Sequence, residues 1–136
     1  MAALSTYMAN KIIDHMLRNQ AFTPPGAVYV ALFTSSTGLS TSNPTGEVSG
    51  NGYARRQITL TAASNGASDN SADITFPEAT GSWGTITHMA IVTHPTNTGW
   101  GSNVHVLAYA AVSPAQAIVS GNIFVLPQHD VDVSFS

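Results

Sequence analysis

At 136 residues the chain has room for one domain with a proper core. Its formal net charge is −3 and its fixed cations are Lys11, Arg18, Arg55 and Arg56, too few for the basic patch that nucleic-acid binding requires. It has no cysteine, which excludes disulfides and thiolate zinc sites, and no apolar run approaching the roughly 18 residues of a membrane span, so no membrane insertion is expected.

The opening stretch, Met1 to Asn19, lacks the basic, apolar and small-residue order of a signal peptide and is expected to belong to the mature protein. Leu4, Met8, Ile12 and Met16 recur there at helical spacing, with Tyr7, Ile13 and Leu17 widening the stripe. The pattern predicts an amphipathic helix from about Ser5 to Asn19, with Ser5 as N-cap and Asp14 and Arg18 paired one turn apart. Pro24 and Pro25 forbid its continuation.

Ala27 to Thr34, AVYVALFT, is a strand with two apolar faces. It should be covered on both sides, the helix lying on the sheet that holds it. Gly38 to Gly52 has no apolar periodicity and reads as a long surface loop. Tyr53 to Ala63 alternates as a half-buried strand, and Ser64 to Ser71 is a turn region. Ala72 to Phe76 is a short strand with Ile74 and Phe76 inward, ended by Pro77.

Gly81 to Gly84 is a tight corner, with Trp83 expected to fill the end of the fold. In the strand Thr85 to Thr93, strict alternation puts Ile86, His88, Ala90 and Val92 on one face and Met89 and Ile91 on the other. Pro95 to Ser102 is a polar connection holding Trp100. Asn103 to Val112 is a strand with Val104, Val106, Ala108, Ala110 and Val112 on one side and His105 exposed on the other; Pro114 should stop it. Ala115 to Ser120 is a connector and Gly121-Asn122 a turn. Ile123 to Leu126 and Val131 to Phe135 are expected to close the fold as a strand pair joined by Pro127 to Asp130.

One helix and about seven strands predict a mainly β fold: an antiparallel β-sandwich or small barrel with one N-terminal α-helix packed on it. The whole chain is expected to be a single domain, residues 1–22 forming the helix and its connection and 27–136 the sandwich.

Chemistry is not announced. No nucleophile elbow or phosphate-binding glycine loop is present, and no catalytic residue or cofactor is assigned. Of the metal candidates, Asp130 and Asp132 share a strand face from which His129 points away, and Pro95 separates His94 from an extended run with His88. His15 reads as a solvent- or dimer-facing helix residue. Of Arg55 and Arg56, one is expected to bond a carboxylate or carbonyls and the other to meet solvent or a partner chain. Trp100, set among Thr, Asn, Gly and Ser, could offer a ring to a glycan or fill an interface.

The low charge points to assembly. Only 8% of residues are charged, against about 25% in ordinary domains, so Ser, Thr, Asn, Gly and Ala must cover the surface. Such a surface suits lasting contact with other subunits.

The ordered blocks LSTYMANKIIDHMLRN, AFTPPGAVYVALFT, EVSGNGYARRQ, SADITFPEATGSWGTITHMAIV and GNIFVLP resemble a family of small tailed-bacteriophage structural proteins usually labelled tail-fibre-like. The resemblance covers nearly the whole chain and brings no catalytic residues with it. It implies a non-enzymatic virion protein, assembled in the bacterial host cytoplasm, that self-associates as a homotrimer and docks on other phage proteins. Capsid decoration on the major capsid protein is expected ahead of a tail-fibre or baseplate position, because the chain is compact and lacks the repeats of a long fibre. Receptor glycan binding belongs to the tail alternative. Docking is expected through the loops 38–52 and 95–102 and the apolar area near the helix, with Tyr7, Met8, Lys11, Glu47, Tyr53, Arg55, Arg56 and Trp100 as candidate interface residues.

Overall fold

The computed structural model describes residues 2–134. Its elements are β1 (Ala3–Leu4), α1 (Thr6–Leu17), β2 (Val28–Phe33), β3 (Arg56–Ile58), β4 (Ala67–Asp69), β5 (Ile74–Thr75), β6 (Gly84–Val92), β7 (Val106–Ile118), β8 (Val125–Leu126) and β9 (Asp132–Ser134). Five strands form an antiparallel sheet in the order β1-β7-β6-β2-β3, and β4–β9 and β5–β8 form two short ribbons. The fold is mainly β with one N-terminal helix, a small sandwich as the alternation predicts.

β2 is the centre of burial. Its β-branched and aromatic residues favour extended chain, and Val30, Ala31, Leu32 and Phe33 are all 0% exposed. Both faces are covered, by different material. Val30 and Leu32 join Met89, Ile91, Phe76, Phe124, Leu126 and Val131 in the larger core, between the sheet and the ribbons. Ala31 and Phe33 join Ala90, Val92 and Val106 in a second cluster, closed by Leu39 from the long loop and by Tyr29, Trp100 and Tyr109. The long loop is therefore part of the packing. Gly38 turns it with φ 79°, where a Cβ would stand 2.0 Å from the Asn43 carbonyl oxygen.

Two register shifts overturn the face assignments made by strict alternation. Between Ile86 and His88, β7 spends the residues from Val112 to Ala115 against the single Thr87 of β6. Ile86 thus falls on the Met89–Ile91 side rather than with Ala90 and Val92. A second shift, between Ile91 and Val92, places Val106 and Ala108 on opposite faces. An extra residue in one strand inverts every side chain beyond it. The first shift also explains why Pro114 does not end the strand: it lies in the looped-out stretch, where its missing N–H forfeits no ladder bond. The segment 115–118 is accordingly strand, not connector.

Other boundaries move for local reasons. Asn65 and Gly66 both have positive φ, and Ser64 and Ala67 exchange backbone hydrogen bonds of 2.9 and 3.0 Å across them. This two-residue turn is tighter than the expected 64–71 loop and frees Ala67–Asp69 to form β4. β8 and β9 do not pair with each other: β8 pairs with β5 and β9 with β4. Phe135, the expected end of the last strand, lies outside the described residues. The strand expected at 53–63 is regular only over Arg56–Ile58.

Asn70 ties the ribbons together and is wholly buried. Its Nδ2 donates to the carbonyls of Ala72 and Pro127, both at 2.8 Å, and its Oδ1 accepts from the Val131 N–H at 2.9 Å.

Candidate docking surfaces

α1 begins where expected. Ser5 accepts from the Met8 N–H at 3.1 Å, and its hydroxyl donates to the Val106 carbonyl of β7. Asp14 and Arg18 pair at 2.8 Å on the exposed side. The helix rests over β7, in the same sheet as β2, but not on its most apolar side. Its inward contacts come from Tyr7, Met8 and Lys11: Tyr7 stacks on His105 at 3.7 Å, Met8 packs against the large core, and the Lys11 ammonium lies 5.6 Å from the Tyr7 ring and 5.8 Å from that of Phe22. His105 is therefore half-buried, not exposed as alternation suggested. Burial, with a smaller contribution from the nearby Lys11 charge, holds its pKa below the ordinary histidine value.

The other side of α1 faces solvent. Ile13, Met16 and Leu17 are 49%, 70% and 80% exposed. With Ala9 and Ile12 they occupy an arc of about 140° at 3.6 residues per turn. Beside the stripe runs an apolar groove of about 260 Å³, to whose walls Leu4, Met8, Phe22, Pro25, Val28 and Leu60 contribute. The periodicity of the stripe was readable in the sequence; which part of it meets the sheet was not.

Glu47, Tyr53, Arg55 and Trp100 come together where the loop 38–52 meets the connection 95–102. Arg55 donates from Nε to one Glu47 carboxylate oxygen at 2.6 Å and from Nη2 to the other at 2.7 Å. Its Nη1 donates to the His94 carbonyl at 2.9 Å, and its guanidinium lies 4.9 Å from the Trp100 ring centroid. The Tyr53 hydroxyl donates to Glu47 at 3.0 Å and accepts from the Leu32 N–H at 3.0 Å. Burial, reinforced by the Glu47 charge, keeps that phenol protonated far above its usual range. The network fastens the loop 38–52 to the connection 95–102. It also commits Trp100, half-buried and tilted against Phe33, to the protein itself. Arg56, by contrast, is exposed on β3. The expected division of labour between the two arginines holds.

The chemical candidates stay apart. His88 and His94 each bond the threonine before them, and His129 pairs with Asp69 at 3.0 Å. Among the described residues no group of three or more His, Cys, Asp or Glu side chains could hold a metal ion, and no helix is long and apolar enough to cross a membrane. Trp83 is a buried corner residue whose Nε1 donates to the Asn51 carbonyl at 2.8 Å. Asn70, a structural centre, carried no sequence signal beyond a polar residue in a predicted turn.

A small β-rich chain with one apolar helix face in solvent has the makings of a structural subunit. The family model described as Podophage GP4 fiber I protein gp80 matches residues 3–134, and the chain belongs to that family. It is thus a bacteriophage structural protein of fibre type. Between the two positions weighed from the sequence, a fibre fits the family's name better than capsid decoration. No curated protein matches the chain.

Proposed function

We propose that this protein is a non-enzymatic subunit of a podophage tail-fibre assembly, built as one domain, that docks on other virion proteins and on copies of itself. The observation that carries the reading is the family match across residues 3–134. The exposed stripe of α1 and the apolar groove beside it support it, because a solvated apolar face of this extent suits an adhering subunit. Self-association belongs to this reading, with the homotrimer anticipated from the sequence as one symmetry to be tested. Tyr7, Met8 and Lys11 would act by holding the helix in place. Glu47, Tyr53, Arg55 and Trp100 would set the loops, and Arg56 would face a partner directly.

Quantitative mass spectrometry of purified virions tests the proposal. A fibre subunit is expected at a small fixed copy number per particle and in isolated tails. Hundreds of copies that remain with emptied heads would instead establish a capsid decoration protein on the major capsid protein. Absence from the particle would end both readings.

A further inference from the structure

A cleft of about 250 Å³ opens beside the inward face of α1, with Tyr7, Phe22, Thr93, His94, Asn103 and His105 in its walls. It adjoins the apolar groove through Phe22 but differs from it in chemistry. Its aromatic part is ordered by stacking: the Tyr7 and His105 rings lie 3.7 Å apart and within 5° of parallel. Its polar part has bonding capacity to spare. His94 engages the Thr93 hydroxyl through Nδ1 at 3.0 Å, and Asn103 donates from Nδ2 to the Thr98 carbonyl at 3.1 Å. The His94 Nε2 and the Asn103 Oδ1 remain for ligand hydroxyls.

Charge narrows the ligand further. The Lys11 ammonium stands at the rim, 5.6 and 5.8 Å from the Tyr7 and Phe22 ring centroids. The ion pairs among the described residues are Asp14–Arg18, Glu47–Arg55 and Asp69–His129, so Lys11 has no carboxylate of its own. None of the residues lining the cleft is acidic. We propose that this cleft binds one acidic sugar residue of a polysaccharide, of the uronate class, with its carboxylate on Lys11 and its ring against Phe22 and the Tyr7–His105 pair.

Size, surface and charge each bear on that choice. The volume falls below the roughly 300–1,000 Å³ of pockets that hold drug-sized ligands, which suits a single ring. The C–H face of a pyranose is apolar and lies flat on an aromatic side chain, while its hydroxyls need amide, imidazole and hydroxyl partners around the edge. Burial keeps His105 below the ordinary histidine value, so Lys11 is the one fixed charge at the cleft. A single cation matches a carboxylate better than a dianionic phosphate.

An NMR titration of the isotope-labelled full chain tests the cleft. Glucuronate is expected to bind saturably in the millimolar range and to move the amide signals of His94, Asn103 and His105. Glucose, which lacks the charge, should bind about five-fold more weakly. Lys11→Gln should bring glucuronate down to the level of glucose and leave glucose as it was. His94→Ala, at an exposed side chain, should weaken both sugars alike. Unmoved signals away from the cleft verify that each variant is folded. Inorganic phosphate is the contrasting probe: binding at these residues as tightly as glucuronate would establish a plain anion site and overturn the proposal. Equal affinity for the two sugars, a preference that survives Lys11→Gln, or no saturable shift at the cleft would overturn it as well. Copy number on the virion tests the fibre reading and the titration tests the cleft, so either can fail alone.

Discussion

Glu47 and Arg55 meet through two parallel hydrogen bonds of 2.6 and 2.7 Å, with side chains only 15% and 2% exposed. A forked pair this dry depends on both members. Glu47→Ala should cost about 3 kcal/mol of stability in urea denaturation, because it strands a buried guanidinium. Glu47→Gln with Arg55→Met should cost less than Glu47→Ala alone, since removing both charges removes the penalty of leaving one unpaired.

Trp100 covers the same guanidinium and leans on Phe33. Trp100→Ala should destabilise the protein by about 1–2 kcal/mol through the lost cation–π contact and packing. Limited proteolysis should then cut within 95–102 faster than in the wild type. An unchanged digestion pattern would show that the ring does not pin this loop.

Asn70 gives a sharper case, because three backbone groups depend on one amide. Asn70→Ala should cost about 3 kcal/mol by leaving buried carbonyls and an N–H without partners. Hydrogen exchange at Val131 should accelerate before that of the β6–β7 ladder.

The His105 ring, stacked on Tyr7, makes stability depend on pH near neutrality. Its folded-state pKa lies below the ordinary 6.5, so on acidification the unfolded chain takes up the proton first. The stabilisation is complete above that value and is lost as pH falls through the folded pKa. Urea midpoints should therefore decline between pH 7.5 and 5.5, and His105→Gln should flatten that decline. Asp69 acts in a more acidic window. The hydrogen bond from His129 holds its pKa below the usual 3.8, so its contribution is present above that value and disappears as pH drops through the lowered one. Asp69→Asn should leave the neutral limb unchanged.

Leu17→Gln tests the opposite expectation. At 80% exposure the side chain contributes little to the isolated fold. Its replacement should move the thermal midpoint by less than the equivalent of about 0.5 kcal/mol. A larger loss in a sample shown to be monomeric would mean that the residue packs within its own chain.

Much of this fold was legible from local chemistry. The run AVYVALFT, set between Pro24-Pro25-Gly26 and a polar stretch, defines β2 and its double burial. Ser5 announces the helix start, and Trp83 sits at the corner its glycines suggest. What alternation could not carry was parity across the two bulges, because the extra residues near Pro114 and Val106 look like ordinary strand positions until their partners are in view. Pairing was equally hidden: β8 and β9 are neighbours in sequence, yet each closes a ribbon with an earlier segment. The candidate surface divided in the same way. The stripe on α1 could be read from its spacing. The inward role of Tyr7 could not, since it depends on His105, just before β7 and nearly a hundred residues away in sequence.

Ser5 spans the junction between α1 and the sheet, its oxygen accepting from the helix while its hydroxyl grips Val106. Beside it, the Ser5 N–H donates to the Leu107 carbonyl at 3.0 Å, and Ala3 and Leu4 pair with Tyr109 and Ala108. A tug on the helix is therefore delivered first to β7, through a short row of backbone rungs anchored at the helix root. Strained along β7, those rungs must shear together; peeled from the side, they would open in turn. The mount would bear load best in one direction, a grain set by the rungs that Ala3, Leu4 and Ser5 form along β7.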